Sequence, residues 1–160
     1  MMDTLQTIFR HHLWANQRLF DHCLELTSEQ LDYSIAGVYG TIRDTLVHIV
    51  KAEQAYFSRI STENLYNHPV GAQPMSISEM IAALQITGKG LIELSALVQD
   101  KDSVKIDWDG ALREVPKAII LNQVINHATE HRSQVMSVLT QIGIEPPDVS
   151  SWTYFDQQEK

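Results

Sequence analysis

The chain has a single cysteine, Cys23. That excludes an internal disulfide and any Cys-x-x-Cys metal site. No apolar run approaches the roughly 18 to 20 residues needed to cross a bilayer, so no membrane partner is expected. The opening Met1-Met2-Asp3-Thr4-Leu5-Gln6 lacks the basic start and apolar core of a secretory signal, and a reducing cytoplasm is the expected setting. Positive charge is scarce: 12 Lys and Arg against 20 Asp and Glu give a formal charge of -8, with no basic stripe anywhere. Nucleic-acid binding through counterion release needs a clustered basic surface, so no nucleic-acid partner is expected. There is no internal repeat, linker or low-complexity segment. No glutamate has a histidine three residues later, which excludes the Glu-x-x-His di-metal centre of helical bundles.

What is present is helix. The 160 residues are 44% apolar and 20% charged, which fits one globular domain spanning 1–160 with a full core. Asp3 or Thr4 can cap a first helix to about Leu26. Its apolar face reads Leu5, Phe9, Leu13, Phe20 and Cys23, with His12 and Asn16 on the same side and Trp14 opposite. Thr27 to Gln30 forms a capping box over a short helical turn. Thr41 with Asp44 caps a second long helix through about Ile60. The polar stretch Ser61–Pro74, with Asn67, Pro69 and Gly71, is a loop. Ser76 with Glu79 opens a third long helix to about Val98, in which Gly88 and Gly90 mark a close packing point or a weak spot. At 103–115 the period changes to alternation, and Asp109-Gly110 marks a hairpin turn. Pro116 suits the first turn of a fourth long helix, to about Ile142, stopped by Gly143. The tail from Asp148, with Trp152, Tyr154 and Phe155, packs back on the body. The expected fold is therefore all-α: a four-helix bundle with long connections, plus a small β-hairpin before the fourth helix.

The fourth helix carries Asn126-His127-Ala128-Thr129-Glu130-His131-Arg132-Ser133-Gln134. Two histidines four apart lie one above the other on a helix face. At about 100° per residue, Ile120, Val124, His131, Gln134, Val138 and Ile142 fall within roughly 60° of His127. Two imidazoles and an amide thus interrupt an apolar stripe. Buried polar groups need partners. Here they are either ligands of one metal ion or core histidines satisfied by water and neighbours.

A histidine metal site needs a ligand from another helix. His48 is the best candidate, mid-helix on the margin of an apolar face beside Thr45, Ala52 and Ala55, and His12 is the runner-up. His68 lies in a loop, and His11 and His22 read as solvated. Asp44, one turn before His48, either accepts a hydrogen bond from its ring or caps the helix. Gln134 either lines the site or bonds across the bundle. Arg132 reads as a surface residue. His127 to His131 also fits the His-x-x-Glu-His pattern of inverted zinc proteases. Glu130, however, lies about 60° off the stripe, and no carboxylate ligand follows in context.

The segments Leu13-Trp14-Ala15-Asn16, Leu46-Val47-His48-Ile49 with Glu53, His127-x-x-x-His131-Arg132-Ser133-Gln134, and Gly143 through Pro147-Asp148 to Tyr154-Phe155 resemble, in order and spacing, the DinB/YfiT-like superfamily. Its members are regarded as small metalloenzymes. The resemblance covers nearly the whole chain and implies a four-helix bundle, commonly a homodimer. It implies His48, His127 and His131 as ligands of a divalent ion, zinc or nickel foremost. Asp44, Gln134, Asn16 and His12 would supply the surrounding shell or pocket. Ser133 stands where members often have glycine. Relatives include S-transferases and isomerases that use low-molecular-weight thiols. The expected function is thus a metal-dependent transferase or hydrolase that activates a thiol or water for a small-molecule substrate, with no protein nucleophile. The alternative is a non-catalytic stress-response bundle whose metal site is structural or vestigial.

Overall fold

The computed structural model describes residues 4–68 and 73–158. Asp3 as a cap, Pro69 and Gly71 of the loop, and the tail's last residue Lys160 lie outside the described residues. The elements run α1 Thr4–Cys23, α2 Ser28–Leu31, α3 Ile42–Thr62, α4 Ile77–Ser95, β1 Ser103–Trp108, β2 Ala111–Pro116, α5 Lys117–Gln141 and α6 Ser151–Gln158. The four long helices form a bundle, packed in a ring in which α1 touches α4 and α5, and α3 touches α4 and α5. Among the described residues no helix is long and apolar enough to cross a membrane.

Three capping boxes set the helix starts. Thr27, Thr41 and Ser76 each accept a backbone N–H at the third helical residue, whose side chain bonds back to the cap. Each cap contributes about 1 kcal/mol. The hairpin turns where expected: Asp109 and Gly110 both take positive φ, 54° and 83°, as a two-residue hairpin turn requires. Val104 pairs with Val115 in the antiparallel ladder. Val104 is buried with Ile120, Leu121 and Val124 of α5, so the ribbon is held by the bundle. Gly88 and Gly90 are close packing points. A Cβ on Gly88 would stand 2.6 Å from Leu13 Cδ1 of α1, and one on Gly90 would meet the Phe57 ring of α3.

α4 ends at Ser95, three residues before the expected Val98, and α1 ends at Cys23 rather than near Leu26. The tail packs back as expected, but as a helix. His11 bonds the Val149 carbonyl at 2.9 Å. Trp14 donates to Gln157 at 3.2 Å, and its ring lies 5.4 Å from that of Tyr154. His11 is therefore a tail contact and not a solvated residue, and His22 is half-buried as well.

The apolar core has two parts. One holds Leu19, Phe20, Ile49, Val50, Leu84, Val135 and their neighbours. The other holds Phe9, Ile60, Leu91, Leu121 and Val124 with theirs. On α1, α3 and α4 the residues between the two parts include a buried polar one: His12 and Asn16, Glu53 and Thr87; on α5 the buried Arg132, one turn past Ala128, bonds Asn16. A polar layer thus crosses the middle of the bundle.

Candidate metal centre

α3 and α5 pack side by side. At their seam the turn of α3 that holds His48 faces the two turns of α5 that hold His127 and His131. The three ring centroids lie 4.5 to 4.8 Å apart. Their donor atoms all fall within 4.8 Å of one another, a group that could hold a metal ion. His131 is buried, and the other two are half-buried.

The protonation pattern follows from the partners. His131 Nδ1 lies 2.9 Å from Gln134 Oε1. That oxygen also accepts the Tyr39 N–H at 3.2 Å, which fixes the amide's orientation. An oxygen can only accept, so Nδ1 carries a proton, and it is Nε2 that has the lone pair when the ring is neutral. The Nε2 atoms of His48 and His127 stand 2.9 Å apart, one donating to the other. Burial, with the nearby His131 and His48 second, pushes His127 down to about 4. Burial and then His131 lower His48 too. At neutral pH these two rings are neutral, the form in which imidazole binds a metal. The donor set suits a divalent ion: nitrogen ligands on two rigid helices, one of them oriented from behind by an amide.

Two tyrosines flank the cluster. Tyr39 stacks on His48 at 4.1 Å and 20°, with its edge toward His131. Tyr56 meets His127 edge-on at 5.8 Å. Two hollows adjoin these walls. One, of about 970 Å³, is lined by His48 itself. The other, about 630 Å³ beneath the hairpin, reaches Tyr56 and Trp108 but none of the three histidines. Only the first opens onto the cluster.

A model of the DinB family matches residues 1–160. The chain belongs to the DinB family. It is 23% identical over 171 residues to Protein DinB of Bacillus subtilis (strain 168), covering 100% of this chain and 99% of that relative. It also resembles the crystal structure of a DinB-like protein from Bacillus cereus ATCC 10987, at 25% identity and a TM-score of 0.63. That match covers 88% of this chain and 92% of the other.

Not every residue expected at the centre of this DinB-family chain is there. His12 and Asn16 are buried in the polar layer instead. His12 Nε2–H donates to Glu53 Oε2 at 2.8 Å, and Asn16 donates to the same oxygen at 3.0 Å. Thr87 Oγ1 donates to Glu53 Oε1. Arg132, expected on the surface, is 4% exposed. Its guanidinium donates to Asn16 Oδ1 at 2.6 Å and to Thr129 at 2.9 Å. Burial lowers Arg132 to about 10 against the pull of Glu53, so it remains charged at neutral pH. Asn16 thus links a buried cation to a buried carboxylate. Asp44 lines the larger hollow, yet its carboxylate accepts from Thr41 N and Oγ1, at 3.2 and 2.7 Å, and caps α3. Glu130 is exposed, as its angle on α5 required. Cys23 is fully buried, and burial pushes its thiol up to about 12, so it is no nucleophile.

Tyr39 was not foreseen. It sits in the loop ahead of α3, where no periodicity applies. The one available signal was its place two residues before the Thr41 cap, which turns the chain into the helix that carries His48.

Proposed function

We propose that His48, His127 and His131 hold one divalent ion, zinc or nickel, and that the protein is a metal-dependent transferase or hydrolase. The observation that carries this reading is the convergence of three imidazoles from two helices, with His131 fixed in the tautomer that presents Nε2. Three neutral nitrogen ligands leave positions open on a divalent ion. When bound, such an ion acts as a Lewis acid that makes water or a thiol nucleophilic at neutral pH. The chain's own residues have defined tasks. Gln134 holds the His131 ring in place. Tyr39 and Tyr56 shield the cluster on two sides. The hollow beside His48 admits a small molecule. Cys23, the one cysteine, is buried with its thiol pushed up to about 12, so in this reading the nucleophile comes from solution. A low-molecular-weight thiol fits the role that the family resemblance implies.

Metal analysis of protein purified without chelator tests the metal. The expected result is about one divalent ion per chain, lost in His127→Ala. Equal, negligible metal in both proteins overturns the reading. Turnover is tested with the metal-loaded protein, a thiol and an electrophilic substrate. Full metal occupancy with no turnover by any thiol or by hydrolysis favours a non-catalytic bundle with a structural ion.

A further inference from the structure

The hairpin stands over the second hollow, and its own pattern explains why a hollow is there. Side chains alternate along a strand, so Val104, Ile106 and Trp108 of β1 share one face. That face is apolar along its length but is seated in the core at one end only. Val104 is 2% exposed and packs with Ile120 of α5, whereas Trp108, beside the turn, is 52% exposed. The ribbon therefore stands off the bundle toward its turn. The gap is the hollow of about 630 Å³, with Ile106 and Trp108 of the ribbon, Ile120 of α5, and Tyr56 and Arg59 of α3 in its lining.

Arg59 is out of keeping with these walls. It is half-buried, yet its guanidinium makes no ion pair or hydrogen bond with any described residue. The nearby acids do not answer it. Glu63, one turn further on, lies 3.8 Å from Lys117 instead. Asp107 and Asp109 line the hollow, but neither is ion-paired with Arg59, and Asp107 accepts the Gly110 N–H at 2.8 Å. The other cation of the ribbon, Arg113, lies over the Trp108 ring at 5.3 Å. A guanidinium carries five donors in a planar fork, and leaving them unmet beside apolar walls is unfavourable.

We infer that this hollow is a second binding site, for a monocarboxylic acid with an apolar body. The body lies under the ribbon against Trp108, Ile106 and Ile120, and the carboxylate meets the Arg59 fork. Arginine and carboxylate match in geometry, with two parallel hydrogen bonds. A mostly apolar hollow with one well-placed charged group, of this size, is the common form of a small-molecule site. A phosphate monoester fits less well, because its second charge would face Asp107 and Asp109 with no second cation to offset it. None of the three histidines lines this hollow. Tyr56, edge-on to His127, belongs to both neighbourhoods, but the acid needs no metal ion, so this site stands or falls apart from the metal centre.

The test is equilibrium dialysis of the full chain against octanoate and against octanamide, its neutral counterpart. Wild type should bind about one octanoate per chain, unchanged by EDTA. The quantity read is the octanoate-to-octanamide affinity ratio, compared between wild type and Arg59→Met so that intrinsic differences of the probes cancel. The ratio should be about fivefold higher in wild type, the upper end for one partly exposed ion pair. Arg59→Lys, which keeps the charge without the fork, should fall between the two. Trp108→Ala should weaken both probes by about three- to tenfold through lost apolar contact and leave their ratio as in wild type. No saturable octanoate binding by wild type overturns the inference. So does an equal ratio in wild type and Arg59→Met, or full binding of both probes by Trp108→Ala. Binding that disappears with EDTA also overturns it, since a metal ion would then be holding the carboxylate.

Discussion

Two polar clusters interrupt the apolar interior, and they are built in opposite ways. In the layer of His12, Asn16, Glu53, Thr87 and Arg132, donors meet acceptors. Glu53 receives three donors, and Asn16 gives to Glu53 while accepting from Arg132. Positive charge faces negative charge, and residues of all four long helices take part. His48, His127 and His131 instead bring three like groups together, with one shared hydrogen bond among them and Gln134 behind. The first cluster needs nothing further except at His12 Nδ1, a buried atom with no partner. The second has nitrogen lone pairs converging on one place and a hollow leading to it. A polar group enclosed by its partners fixes a fold. Lone pairs that converge without partners leave work for a ligand.

Removing one member of each cluster separates the two roles. Glu53→Ala leaves a buried imidazole, an amide and a hydroxyl without their common acceptor, and the buried Arg132 guanidinium without its nearby opposite charge. The expected loss is about 3–5 kcal/mol, the cost of breaking a buried charged network, measured by urea unfolding of metal-free protein. A loss below about 1 kcal/mol would sink the claim that this layer holds the four helices in register. His127→Ala should do the reverse. It abolishes metal capture yet changes metal-free stability by less than about 1 kcal/mol, because a half-buried ring in a crowd of like groups contributes little to folding.

Gln134→Leu sharpens the boundary between the clusters. The amide touches no ion in this reading; it orients His131. Losing such a partner costs roughly 10- to 100-fold in metal affinity, read by zinc competition against a chromophoric chelator. Gln134→Glu, which keeps an acceptor at the same place, should restore most of that affinity. If both variants bind zinc as wild type does, the hydrogen bond to His131 does not tune the centre.

Much of this plan is local and therefore legible in the chain. Capping boxes, the Asp109-Gly110 turn and the stop at Gly143 are written within a few residues. So is the register that puts His127 and His131 on one stripe. Arg132 shows where local reading ends. It lies about 140° from His127 around the helix, outside a stripe drawn for a single contact face. α5, however, packs against both α3 and α1, so its buried arc is wider than one stripe. Only the partner on α1, Asn16, explains a buried arginine. His12 failed as a ligand candidate for the same reason. Its burial was readable from the period of α1, but whether it faces His48 or Glu53 depends on how α1 and α3 meet, which no single helix records. Tyr39 lies in a loop, where no period exists to read.

Acid distinguishes the clusters more gently. The folded state holds His127 at about 4, below the 6.5 or so of an unfolded chain. Between those values the unfolded chain binds more protons, so stability must rise with pH across that window. The contribution is fully present above about pH 6.5 and is lost as pH falls toward 4. His48, lowered by burial and by His131, acts in the same direction. The ring of His127 is half exposed, so solvent screens the effect. About 1 kcal/mol is expected rather than the full equivalent of the shift. Denaturant unfolding of metal-free protein from pH 7.5 to 4.5 measures it, with His127→Ala as the control for protons bound elsewhere. The variant should lose less stability over this window than wild type. Identical profiles would mean that burying His127 beside the two other rings carries no cost in the folded state. The cluster would then be as settled as the polar layer beside it.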